Sequence, residues 1–132
     1  MPTDPAGLAF LKTKEAEPGV TKLKSGLMYK VLETGTGTRS PGPNTPCDCH
    51  YAGQLINGQE FDSSYKRGKP LTFAPSQVIA GWTEAMQLMK EGDKWELYIP
   101  SELGYGDEGT PGGPIPPNAA LVFQMQLLKI KG

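Results

Sequence analysis

Across most of its length this chain alternates in twos, and against that background one stretch repeats in threes and fours. Val78, Trp82, Ala85, Met86 and Met89 recur at helical spacing, which puts them on one face of a short helix. Pro75 and Ser76 stand ahead of it, where serine is a good cap, and Gly92-Asp93 follow as a stop. Strand-like segments fall on either side, so the helix is expected to close the open face of a sheet. Trp82 would then floor whatever hollow lies between the two. Its plainer reading is a core anchor.

The flanking segments are read as strands. Residues 27–33 alternate loosely before Gly35-Thr36-Gly37 breaks them. Cys47, Cys49 and Tyr51 face one way, with Asp48 and His50 facing the other. Asn57-Gly58 is the strongest hairpin signal in the chain and predicts Tyr51 and Phe61 on neighbouring strands. Residues 65–69 form a polar, basic loop, and Leu71-Thr72-Phe73 is a short strand before the helix. Trp95, Leu97 and Ile99 alternate with Lys94, Glu96 and Tyr98, as a half-buried antiparallel strand should. Residues 121–130 close the chain with Leu121, Phe123, Met125 and Leu127 on one face. Five or six antiparallel strands and one short helix make an α+β domain over residues 25–132. Residues 1–24, whose only large apolar side chains between Met1 and Val20 are Leu8, Phe10 and Leu11, are expected to be an appended arm or short helix, dispensable to the core.

Composition excludes several classes of function. Thirteen basic and fourteen acidic residues give a net charge of −1, which makes no case for nucleic acid as a partner. No apolar run approaches the ~20 residues needed to span a bilayer. No charged-then-apolar leader follows Met1, so a cytoplasmic location is expected, or a secretory or extracellular one if a leader has been removed. Seventeen Gly and thirteen Pro cluster at residues 35–46 and 104–117, implying long ordered loops. Cys47 and Cys49 lie too close in sequence for an unstrained disulfide, and His50, the only His, alternates to the opposite face. Reduced, buried thiols and no metal are expected.

With one His, no Ser or Cys has a recognisable base and orienter, and no carboxylate pair suggests acid/base work. What remains is aromatic. Tyr51, Phe61, Trp82, Tyr105 and Phe123 come from five separate segments, and an aromatic-lined pocket is the usual form of a small-ligand site. The competing reading is that they simply make the core.

At this point the motifs carry a resemblance. Tyr51-Ala52-Gly53, Gly58-x-x-Phe61-Asp62-Ser63-Ser64, Pro70, Val78-Ile79-x-Gly81-Trp82, Gly104-Tyr105-Gly106, Ile115-Pro116-Pro117-Asn118 and Leu121-Val122-Phe123 follow in order. Together, over residues 25–131, they resemble the FKBP-type peptidyl-prolyl isomerases. Residues 1–24 and Ser25-Gly26-Leu27-x-Tyr29 are similar to the macrophage-infectivity-potentiator branch, most of whose long dimerising helix would then be missing. A monomer is expected rather than a dimer.

The resemblance implies a twisted antiparallel sheet half-wrapped around the helix, with a substrate proline entering between them. It assigns Tyr51, Phe61, Asp62 and Tyr105 to catalysis, with Tyr105 a hydrogen-bonding lip. It assigns Arg67, Leu71, Val78, Ile79, Trp82, Ile115 and Phe123 to substrate binding, with Trp82 as the floor. Asp62 and Arg67 either brace the loop as an ion pair or take part directly. No cofactor is implied. The implied partners are proline-containing peptides, unfolded proteins and macrolides such as tacrolimus and rapamycin. Leu71 stands where macrolide-binding members commonly carry an aromatic, Pro114 replaces a branched apolar residue, and residues 107–113 have their own composition. These departures touch substrate preference and macrolide affinity more than catalysis. Two other readings are a non-catalytic module that docks proline peptides or a macrolide, and an unrelated small β protein with an aromatic core.

Overall fold

The computed structural model describes residues 3–106, 108–110 and 113–131. Expectations that fall on Met1, Asp107, Pro111 or Gly112 lie outside the described residues.

Among the described residues, seven strands form one antiparallel sheet: β1 Val20–Lys22, β2 Met28–Glu33, β3 Cys47–Leu55, β4 Glu60–Ser63, β5 Leu71–Phe73, β6 Lys94–Ile99 and β7 Leu121–Ile130. Three α-helices among the same described residues accompany them: α1 Pro5–Glu15, α2 Ser64–Arg67 and α3 Ala80–Met86. The sheet order is β1-β2-β6-β7-β3-β4, with β5 also paired to β3. The count exceeds the expected five or six because Val20–Lys22, placed in the arm, pairs with β2. Three residues are too few to show an alternation.

The sheet buries both faces. On one, Leu97 and Ile99 of β6 and Leu121, Phe123, Met125 and Leu127 of β7 pack with Trp82, Ala85, Met86 and Met89 of the α3 segment. On the other, Met28, Tyr98, Ala120 and Val122 pack with Leu11 of α1. Tyr98, expected on a half-exposed face, is buried beneath α1, where Phe10 meets its ring edge-on at 6.4 Å. The stretch expected to be an appended arm or short helix carries an ordered helix and, in addition, a strand. Asp4 caps α1, its Oδ1 accepting from Gly7 N–H at 2.7 Å.

The approach to α3 differs from the expected serine cap. Pro75–Gln77 forms a single 3-10 turn, Val78 is extended, and Ile79 is the N-cap with no side-chain cap bond. Ser76 is used elsewhere, its N–H donating to Pro43 C=O and its hydroxyl to Asn44. Thr83 anchors the segment from within, donating to Pro75 C=O at 2.5 Å. The helix ends at Gln87, before Gly92-Asp93.

The β3–β4 hairpin forms around Asn57-Gly58 as expected, but as a three-residue loop. Gly58 N–H donates to Leu55 C=O, and Gly58 takes φ +91°, the left-handed conformation glycine accepts freely. The register then shifts, Gly53 facing Asp62 and Gln54 facing Glu60, so Phe61 sits in a bulge. Bulges re-aim side chains. This one sets the orientation of Phe61 and Asp62.

Candidate active site

Between α3 and the concave face of the sheet lies a hollow of about 570 Å³. Tyr51 from β3, Phe61 and Asp62 from β4, Leu71 and Phe73 from β5, Gln77, Val78 and Ile79 from the turn before α3, Trp82, Tyr105 and Phe123 line it. Nine of these were expected from the sequence: Tyr51, Phe61, Asp62, Leu71, Val78, Ile79, Trp82, Tyr105 and Phe123.

Trp82 is 6% exposed and sits at the centre of the aromatic cluster. Tyr51 and Phe123 each meet its ring edge-on at 4.9 Å, and Phe73 approaches at 5.6 Å. Phe61 in turn packs edge-on to Phe123 at 5.5 Å. Such contacts hold rings in fixed orientations. The indole N–H of Trp82 is buried and meets no hydrogen-bond partner among the described residues. The two readings of these aromatics are both true: Tyr51, Trp82 and Phe123 belong to the main core, and one side of that core opens as the hollow.

The charged group in this lining is held in a closed arrangement. Tyr51 donates to Asp62 Oδ2 at 2.6 Å, Arg67 Nη1 donates to Asp62 Oδ1, and Arg67 Nη2 donates to the Tyr51 hydroxyl at 2.8 Å. Burial alone would raise the Asp62 carboxyl, but the bonds from Tyr51 and Arg67 outweigh it and hold it below the usual carboxylate range. Burial, reinforced by Asp62, pushes the Tyr51 hydroxyl above the usual tyrosine range. Tyr105, half-exposed at the rim, is raised as well, by burial first and by Asp62 second.

Ser64, where β4 runs into α2, secures this group from behind. Its Oγ accepts from Tyr51 N–H at 2.7 Å, donates to Tyr51 C=O at 3.2 Å, and lies 2.8 Å from His50 Nδ1. One turn later α2 presents Arg67, and Gly68 ends it in the left-handed conformation.

Two expected site residues are not in the lining. Arg67 reaches the site only through Tyr51 and Asp62. Ile115 is buried in the core behind the rim, exchanging bonds with Thr110 through its N–H and C=O. Phe73 and Gln77 were missed. Phe73 was legible, since in a strand it shares a face with Leu71. Gln77 was not, because its place depends on the 3-10 turn that its own side chain closes by accepting from Ala74 N–H at 2.8 Å.

Comparison with known proteins agrees with this fold. The chain is 50% identical over 95% of its length to the macrophage infectivity potentiator of Trypanosoma cruzi, covering 63% of that protein. It is 48% identical over 95% of its length to the outer membrane protein MIP of Legionella longbeachae, covering 53% of it. The chain thus spans between about half and two-thirds of the length of these relatives. The crystal structure of FkpA from Escherichia coli superposes with a TM-score of 0.89 at 44% identity, over 96% of this chain and 58% of that one. Residues 37–128 match the family model of the FKBP-type peptidyl-prolyl cis-trans isomerases, and the chain belongs to that family.

Proposed function

We propose that this protein accelerates cis–trans rotation of Xaa–Pro peptide bonds. The observation that carries the reading is a hollow of about 570 Å³ floored by an indole, walled by aromatic and aliphatic side chains, whose carboxylate is already paired. That arrangement is poor for nucleophilic chemistry and well suited to bond rotation, which needs no nucleophile. The barrier to rotation is lost amide resonance, ~18–20 kcal/mol. A planar amide is more dipolar than a twisted one, so water favours the ground state and a dry pocket removes that preference. Lowering the barrier by roughly 7 kcal/mol gives a factor of about 10⁵.

In this reading the pyrrolidine ring rests on Trp82, between Tyr51, Phe61 and Phe123. The backbone N–H of Ile79 donates to a substrate carbonyl, and Tyr105 is a second donor at the lip. Asp62 presents a fixed negative charge while Arg67 holds it in place. Proline-containing segments of unfolded chains are the substrates, and assistance to folding is the biological role.

Macrolide inhibition belongs to the same reading, at reduced affinity, because Leu71 offers the rim an aliphatic side chain, 36% exposed, where an aromatic would stack. The name of the Legionella longbeachae relative, an outer-membrane protein, favours export over the expected cytoplasmic location. Among the described residues no helix is long and apolar enough to cross a membrane.

The test is isomerisation of a short Leu-Pro or Phe-Pro peptide, with and without tacrolimus or rapamycin. Catalysis that the macrolide suppresses is expected. Macrolide binding without catalysis would instead identify a docking module.

A further inference from the structure

The loop that carries Tyr105 is tied at both ends to Thr3 and Asp4, the two residues that lead into the first turn of α1. Thr3 is 3% exposed, and its Oγ1 accepts from Ser101 N–H at 2.9 Å. It donates its proton toward Glu102 Oε1 at 3.0 Å, and Ser101 Oγ, 3.3 Å from Thr3 Oγ1, donates to the same oxygen. Ser101 C=O then accepts from Gly104 N–H at 3.0 Å and Gly106 N–H at 2.8 Å, the residues on either side of Tyr105. The second tie comes from the next residue. Asp4 N–H donates to Asn118 C=O at 2.8 Å, and Asn118 N–H donates to Gly106 C=O at 2.9 Å. Asn118 is the one non-glycine among the described residues with positive φ, +59°, a conformation that persists where surroundings enforce it. Both ties converge on Gly106, the neighbour of Tyr105.

The close fit of this turn has its own requirement. A Cβ at Gly7 would fall 2.4 Å from Thr3 Cγ2 and 3.2 Å from Ala120 Cβ, so glycine there lets Thr3 lie between α1 and the loop. Burial alone would raise the Glu102 carboxyl. The bonds it accepts from backbone N–H groups and from Thr3 and Ser101 outweigh that, and hold it below the usual range as a charged anchor.

We propose that Thr3 and Asp4 are positioning residues for Tyr105: the lead-in to α1, its cap Asp4 and the preceding Thr3, clamps the rim loop and so sets how tightly a proline peptide is held. This rests on the functional reading above. It assigns to the expected arm a part in substrate binding that neither residue reaches directly.

The experiment compares Thr3→Val, Thr3→Ser and Leu11→Ala in the full chain, with Thr3→Val repeated in a Tyr105→Ala background. Leu11 packs α1 on the sheet from another turn of the helix and is the control for a merely structural role. Thr3→Val is expected to raise KM for a Phe-Pro peptide about five- to tenfold while kcat stays within about twofold. Thr3→Ser restores KM, Leu11→Ala leaves it unchanged, and Thr3→Val adds nothing once Tyr105 is Ala. An unchanged KM in Thr3→Val overturns the proposal, as does an equal rise in the Tyr105→Ala background or in Leu11→Ala. Should Thr3→Val fail to fold, Gly7→Ala displaces Thr3 instead, with the same expectations. A wild-type protein without isomerase activity would remove the functional reading but not the clamp. The clamp is then judged by the amide NMR signals of Gly104 and Gly106, which Thr3→Val must move.

Discussion

Asp62 carries a charge at the edge of an apolar hollow, and the two groups that stabilise it fix its behaviour with pH. Its carboxyl titrates below the usual range, so the stability it contributes is present above the unfolded-state value and is lost as pH falls through the folded one. Tyr51 has the opposite sign. Its raised value means its contribution is complete below the ordinary tyrosine range and is lost as pH rises through the folded value. Between these limits, roughly pH 5 to 9 on ordinary carboxylate and tyrosine values, the cluster keeps one protonation state. Isomerisation is therefore expected to be flat with pH across that window. Tyr51→Phe should move the acid limb to higher pH, because Asp62 loses a donor. A bell-shaped profile centred near neutrality would show instead that proton transfer limits the rate. At this scale most of the site could be read in advance, since ring-bearing residues at alternating strand positions and on one helix face are visible as spacing. Ile115 could not be placed, because apolar character does not distinguish the wall of a hollow from the core behind it.

Helix α1 is the element whose part was least visible. Its apolar residues are few, Leu8 is exposed, and only when Tyr98 and Val122 are known to share the outer sheet face does Leu11 acquire a partner. Sequence alternation identifies the two faces of β6 but not that both are covered. Leu11→Ala is expected to cost about 2 kcal/mol, the lower end for a buried leucine, because the satellite cluster is small and its edge can relax. Denaturant midpoints at constant m-value would measure it. The same element scale explains the failed serine cap of α3. Pro75 begins a 3-10 turn, which places Ser76 three residues too early and moves the helix cap to Ile79.

At the scale of the molecule, the central position of β3 joins fold and site. It pairs with β7 along its whole length and with β5 and β4 at its two ends. Gly53 thus pairs with both β4 and β7, and Tyr51, two residues earlier on the same face, meets Trp82 of α3. A Cβ at Gly53 would lie 2.5 Å from the Phe123 ring and 2.8 Å from Phe61, so this strand allows the aromatic wall to close over it. The long strands β3 and β7 were legible from alternation, and the register that unites them was not, because pairing across so many residues leaves no local trace.

The same strand holds Cys47 and Cys49, both free and fully buried. Burial, reinforced by Cys47 and Asp48, pushes the Cys49 thiol up to about 12, and burial raises Cys47 also. Neither offers a thiolate to an oxidant or an alkylating reagent while the sheet is intact. The pair is thus a built-in recorder of whole-molecule opening: iodoacetamide at pH 8 is expected to modify both together, at a rate that follows global unfolding. Labelling of Cys47 well ahead of Cys49 would reveal a smaller opening at the β5 edge. In an oxidising compartment, the chain would keep two reduced sulfurs for as long as it stays folded, and its redox history would be a record of how often it had come apart.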